Sequence, residues 1–167
     1  MKLYLVQHGD SLEKESDPER PLSAKGIKEI EMLAEFLSTR MPMVSTIFHS
    51  GKLRAKQTAE LVALKISSNN GVQKLFGIEP TDPIAPMAYE IESWSEDTML
   101  AGHLPFMSKL VSKLTTGDES IPIVNYEPGS IVCLEKIIEK KWLIQWMLRP
   151  TLLDFRSYSL GILNAPF

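Results

Sequence analysis

Apolar positions along the chain fall into short continuous runs separated by segments of helical spacing. Leu3-Tyr4-Leu5-Val6 is a run of strand length, closed at once by Gln7-His8-Gly9 and a polar stretch from Asp10 to Glu19, which reads as a buried strand followed by a loop. Ile27, Ile30, Leu33, Ala34 and Leu37 repeat at helical spacing behind Ser23, a good N-cap, and predict a helix from Ala24 to Ser38 that Met41-Pro42-Met43 brings to an end. Val44 to Phe48 predicts a second strand, with Ser45 and Thr46 admitted by β propensity. Ser50 is placed to cap a helix whose apolar stripe is Ala55, Ala59, Val62 and Ile66.

Ser67 to Gly71 then reads as a turn and Val72 to Phe76 as a short strand. Gly77 to Pro86, with three prolines, reads as a loop that merges into a helix carrying Ile84, Ala88, Ile91 and Trp94 and running through Glu92. Thr98 to Ala101 is a third strand in register with this pattern, ended by Gly102-His103-Leu104-Pro105. Pro105 suits the first position of a helix striped by Leu104, Met107, Val111 and Leu114. Thr115 to Gly129 is loop-rich, and Ser130 to Leu134 and Trp142 to Met147 form a closing hairpin across the charged residues Glu135 to Lys141.

Strands alternating with helices predict an α/β fold, a three-layer α/β/α sandwich with a largely parallel central sheet flanked by helices. Residues 1–150 are expected to form a single domain, and 151–167, which lack a clear period, a C-terminal tail. Composition narrows the function. Of 167 residues, 44% are hydrophobic and 23% charged, with a formal net charge of −3; this is an ordinary globular balance, and it lacks the basic excess of a general nucleic-acid surface. No run approaches ~18 apolar residues, and Gln7 and Asp10 interrupt the N-terminal run, so neither a membrane span nor a signal segment is expected. Cys133 stands alone in an apolar stretch, which points to a core position, a reducing compartment and a cytoplasmic address.

The chemistry gathers at strand ends. His8 beside Gly9 follows the first strand, Arg54 opens the helix after the second, and His103 follows Gly102 at the end of the third. Right-handed crossovers bring those ends to one edge of the sheet, where open α/β sheets bind ligands. Arg54, Gln57 and Thr58, spaced i, i+3 and i+4, share one helix face. His8, His49 and His103 are far apart with no acidic cluster around them, so no metal ligand set is expected, and no cofactor.

These residues resemble the histidine phosphatase superfamily, the phosphoglycerate-mutase-like fold. Its Arg-His-Gly triplet corresponds to Gln7-His8-Gly9 here, its Ser and Arg-Ala-x-Gln-Thr to Ser50 and Arg54-Ala55-Lys56-Gln57-Thr58, and its Gly-His to Gly102-His103. The small size, the run Asp17-Pro18-Glu19-Arg20-Pro21-Leu22-Ser23 with Gly26 after it, and Gly102-His103-Leu104-Pro105-Phe106 are similar to the single-domain phosphohistidine phosphatases of the SixA type. The resemblance implies metal-independent transfer of a phosphoryl group to His8 and then to water, with a phosphohistidine-containing protein as substrate partner and no nucleic-acid or membrane partner. Catalytic roles fall to His8, Arg54 and His103, and phosphate contacts to Gln7, Gly9, Arg54 and His103.

Two departures qualify what the resemblance implies. Gln7 replaces a charged arginine with a neutral donor, and charge-assisted bonds stabilise by about 1.5–3 kcal/mol against roughly 1 for neutral ones, a difference on the order of tenfold in binding. Arg20 is the candidate to return part of that charge. The acid of larger relatives aligns near Phe76–Asp82, where Gly77 takes the nearest place and Glu79 and Asp82 are the available carboxyls. A phosphoramidate, which leaves more readily than an ester once its nitrogen base is protonated, suits such a site better than a sugar-phosphate ester. The other readings are a small-molecule phosphomonoesterase on the same fold and a non-catalytic phosphate or phosphoprotein binder.

Overall fold

The computed structural model describes residues 1–41 and 43–153. The first apolar run is strand β1 (Lys2–Gln7), and helix α1 (Ala24–Ser38) follows with the expected bounds. Next come β2 (Met43–Val44), β3 (Thr46–His49), α2 (Leu53–Ala63), β4 (Ser67–Ser68), β5 (Val72–Lys74) and α3 (Ile84–Glu92). The chain continues through β6 (Thr98–Gly102), α4 (Phe106–Thr116), the hairpin β7 (Ile131–Ile138) and β8 (Lys141–Leu148), and a 3₁₀ turn at Pro150–Leu152.

Six strands form one sheet in the order β5-β3-β6-β1-β7-β8. The first four are mutually parallel, while β7 and β8 join antiparallel at one margin. β1 therefore sits inside the sheet and is buried on both faces, which explains its unbroken apolar run. Its alternate residues serve two cores. Leu3 and Leu5 pack with α3 and α4 through Met87, Ile91, Phe106 and Leu110, and Tyr4 and Val6 with α1 and α2 through Ile30, Leu33, Ala59 and Val62. Cys133 is fully buried in the second core, and burial raises its thiol pKa to about 11. No helix among the described residues is long and apolar enough to cross a membrane.

Several expectations need correction. The run Val44 to Phe48 is not one strand: Ser45 interrupts it, Met43–Val44 pairs instead with Ser67–Ser68 in a small separate sheet, and only Thr46–His49 enters the main one. The polar Ser45 hydroxyl bonds Glu96 and its N–H bonds the Asp97 carbonyl, so the kink is held by hydrogen bonds that hydrophobic patterning does not register. Ile27 and Leu104, assigned to apolar stripes, are both more than one-third exposed, and Phe106 and Leu110 take the inner face of α4. Helix α3 begins at Ile84 and carries Pro86 in its first turn, where the missing N–H costs no helical bond. Of the tail, Leu153 is buried in the core beside α1; residues 154–167 and Pro42 lie outside the described residues.

One helix–loop contact fixes the loop that follows β1. A Cβ at Gly26 of α1 would come within 2.0 Å of the Asp10 carbonyl oxygen and 2.8 Å of its nitrogen. The Ser23 hydroxyl caps α1 by accepting from the Gly26 N–H and also donates to the Asp10 carboxylate. Gly26→Ala should gain about 1 kcal/mol in helix propensity yet lose more by forcing backbone apart, for a net loss of about 1–3 kcal/mol. A lowered urea midpoint with unchanged slope would show it.

Candidate active site

Parallel β1, β3, β5 and β6 all end at the same edge, so the residues that follow them converge. His8 leaves β1 with its backbone N–H bonded to the Gly102 carbonyl at the end of β6, 2.9 Å away. His8 Nδ1 lies 2.7 Å from the Gly9 carbonyl oxygen. A carbonyl can only accept, so Nδ1 carries the hydrogen and the Nε2 lone pair is left outward. That lone pair accepts from Arg54 Nε at 3.1 Å. The two rings His8 and His103 stand 4.9 Å apart between centroids, tilted by 58°.

The loop that carries His8 is clamped by the helix face foreseen in the sequence. Thr58 Oγ1 accepts from the Gly9 N–H at 3.1 Å and donates to the Arg54 carbonyl at 2.8 Å. Gln57 Oε1 accepts from the Leu22 N–H at 2.8 Å. Thus Arg54 touches the imidazole, while Thr58 and Gln57 hold the main chain that follows it, at Gly9 and at Leu22. The i, i+3, i+4 spacing was the signal for these two; what they bind was not readable, because backbone partners leave no trace in sequence. Gly9 itself is wedged, since a Cβ there would meet Ile30 Cγ1 at 2.9 Å and the Gly26 carbonyl at 3.1 Å.

Burial, reinforced by the charges of Arg54 and Arg20 and only partly offset by the Gly9 carbonyl and Asp10, lowers the His8 pKa to about 4. Burial, then the neighbouring His8, Arg54, Lys52 and Arg20, lowers that of His103 to about 3. Both rings are neutral near pH 7. An expectation that His103 donates as a cation therefore needs the charge of a bound phosphoryl group to draw a proton onto it. Arg54 is partly desolvated, with its pKa lowered by burial and by Arg20, and it remains a cation.

Arg20 sits in the left-handed region at φ 50°. Its Nε donates to the Leu12 carbonyl at 3.1 Å, which holds the guanidinium along the loop where its charge reaches His8, Arg54 and His103. Gln7 is 8% exposed, and its Oε1 has no hydrogen-bond partner among the described residues. The two carboxyl candidates stand differently. Glu79 pairs with Lys52 at 3.1 Å, and Asp82 Oδ2 accepts from the Glu79 N–H at 2.7 Å; neither makes a bond to His8, Arg54 or His103. His49 Nδ1 accepts from the Gly51 N–H at 3.0 Å, shaping the turn after β3. Among the described residues no three His, Cys, Asp or Glu side chains are gathered to hold a metal ion.

Known proteins of similar sequence and fold exist. Residues 3–74 match the histidine phosphatase superfamily (branch 1). The phosphohistidine phosphatase SixA of Escherichia coli (strain K12) is 25% identical over 123 residues, covering 71% of this chain and 76% of that protein. A solved structure of the protein histidine phosphatase SixA with tungstate superposes with a TM-score of 0.81 at 22% identity, over 92% of this chain and all of that one. A mycobacterial glucosyl-3-phosphoglycerate phosphatase shares the fold at a TM-score of 0.64 and 14% identity, over 87% of this chain and 97% of that one.

Proposed function

The chain carries a histidine phosphatase superfamily domain, and from that premise we propose that it removes phosphate from phosphohistidine in a protein through a covalent intermediate on His8. The observation that carries this reading is the pair of bonds on the His8 ring, Nδ1–H to Gly9 and Nε2 to Arg54. They present a neutral imidazole whose Nε2 lone pair is held by the Arg54 cation until a phosphoryl group takes over that guanidinium.

His8 Nε2 attacks phosphorus as the bond from phosphorus to the substrate imidazole breaks. The substrate ring, protonated on its far nitrogen, leaves as neutral imidazole, so no acid from the protein is needed; this fits Glu79 and Asp82 being tied elsewhere. The His8 ring becomes a cationic phospho-imidazole that keeps its Nδ1–H, and the Gly9 carbonyl stabilises that charge. Water then attacks phosphorus, phosphate departs and His8 returns to its neutral form. Arg54 bonds the equatorial oxygens as charge spreads over them, assisted by His103 and the Gln7 amide, with no metal required.

A protein substrate is favoured by the rim. Leu12 after β1, Phe76 after β5 and Leu104 after β6 are exposed at the same edge, and Lys74 Nζ stacks 4.6 Å over the Phe76 ring. An apolar and cationic rim fits a folded partner better than a small phosphate ester. The replacement of an arginine by Gln7 favours the second reading, a phosphoprotein binder without turnover.

The test is a rapid-quench burst with ³²P-labelled phosphohistidine protein. Acid-labile label on the native chain, followed by phosphate release, supports the enzyme, and tight binding without either supports the binder. Faster turnover of small esters than of the protein would overturn the substrate. With Arg20 supplying charge in place of the missing arginine, Arg20→Ala should weaken inorganic phosphate inhibition by about tenfold, the size of one charge-assisted bond over a neutral one. An unchanged inhibition constant would remove Arg20 from the site.

A further inference from the structure

Ser50 was expected to cap α2, but Lys52 occupies the cap position and makes no side-chain cap bond. The Ser50 hydroxyl is spent elsewhere. Its Oγ lies 2.6 Å from His103 Nε2, and the two side chains are 2% and 1% exposed. We propose that Ser50 is a positioning residue that fixes the tautomer of His103, donating its hydroxyl hydrogen to Nε2 so that His103 keeps its own hydrogen on Nδ1. The inference rests on the phosphatase reading for its consequence, and on the geometry alone for the tautomer.

The argument is one of hydrogens and lone pairs. Among the described residues, His103 is the sole hydrogen-bond partner of Ser50 Oγ, and His103 Nδ1 has none. Were His103 Nε2–H the donor, the Ser50 hydrogen would be buried without an acceptor, and the Nδ1 lone pair would be buried without a donor. With Ser50 as donor, the hydroxyl hydrogen and the Nε2 lone pair satisfy each other, and one unmet group remains, the Nδ1–H. Unmet buried polar groups are costly and few, so the second arrangement is favoured.

That remaining donor is an N–H without a partner among the described residues, on a 1% exposed ring tilted against that of His8. The second buried polar atom without a partner is Gln7 Oε1, an acceptor, at the β1 position in register with Gly102. A site that leaves such groups unmet when empty is set to meet them with phosphoryl oxygens and water when filled. The charges facing His103 are all positive or neutral: His8 from β1, Arg54 and Lys52 from α2 and its cap, and Arg20 from the loop. By occupying Nε2, Ser50 adds to their effect, keeping the ring neutral until an anion arrives and keeping it from competing with His8 for a proton.

Nitrogen-15 NMR of the intact protein with labelled histidine decides the matter. In the native chain His103 should show a protonated Nδ1 and an unprotonated Nε2 from pH 5 to 8. In Ser50→Ala it should move to mixed tautomers with a higher pKa, and Ser50→Thr, which keeps the hydroxyl, should restore the native state. kcat/KM should fall roughly tenfold in the alanine variant, with an acid limb displaced upward, and recover in the threonine variant. A native His103 with its hydrogen on Nε2, or nitrogen shifts and pH profile unmoved in Ser50→Ala, overturns the proposal. A native chain without turnover would overturn the phosphatase reading instead, while the NMR result would still decide the tautomer.

Discussion

His8→Ala should abolish turnover, lowering kcat on the order of 10⁴-fold or more, because in the proposed mechanism it removes the atom that takes the phosphoryl group. The expected signature is sharper than a rate. Rapid quench of the native chain should trap label that acid releases, and the variant should trap none while still binding phosphate through Arg54. Retained label in the variant would assign the nucleophile to another residue. The native pH profile belongs to the same expectation. With its pKa lowered to about 4 by burial and by Arg54 and Arg20, His8 is a neutral ring across pH 5–8, so in the proposed mechanism kcat/KM should show no acid limb from it until the pH falls towards 4. Folding stability should follow with a fixed sign. The unfolded ring takes its proton near pH 6.5 and the folded ring only near 4, so stability is full above about 6.5 and declines as pH falls through that window. In His8→Ala that contribution to the slope should vanish, as acid titrations of the urea midpoint would show.

Most of this site was legible because it is built from strand ends. A parallel sheet buried on both faces writes each strand as a short apolar run, and the residue after the run is then delivered to a known edge. His8, Arg54 and His103 were singled out that way and the fold brings them together, and the helix Ala24–Ser38 was bounded correctly by its cap and its stripe. What stayed hidden depends on partners distant in sequence. Ser50 looks like a helix cap from its neighbours and becomes a partner of His103 only when β6 is laid beside β3. Thr58 and Gln57 share a face with Arg54, yet their partners are the Gly9 and Leu22 main chain. Ser45 breaks the second strand through Glu96 and Asp97, more than fifty residues away. Local pattern carries burial and periodicity; it does not carry which buried polar group meets which.

Arg54→Ala should lower kcat by on the order of 10²–10³, the loss expected when a preorganised donor to the transferring oxygens is removed. Arg54 acts twice. Its Nε donates to the lone pair of His8 at 3.1 Å, and its charge lowers the readiness of both rings to take a proton. The variant should therefore show more than a uniform loss. Without the guanidinium the His8 pKa should rise from about 4 towards its ordinary value, so kcat/KM at pH 5 should drop further than at pH 8. Arg54→Lys separates the two roles: it keeps the charge but not the planar fork. It should hold the acid limb near its native position while leaving much of the rate deficit in place. Equal loss at every pH in Arg54→Ala would mean that burial alone sets the state of His8. Full recovery of rate in Arg54→Lys would mean that charge, rather than the geometry of the fork, is what the phosphoryl group requires. With Gln7 neutral, no second arginine at the strand end compensates for the loss of Arg54, which is why its removal should rank next to that of the nucleophile.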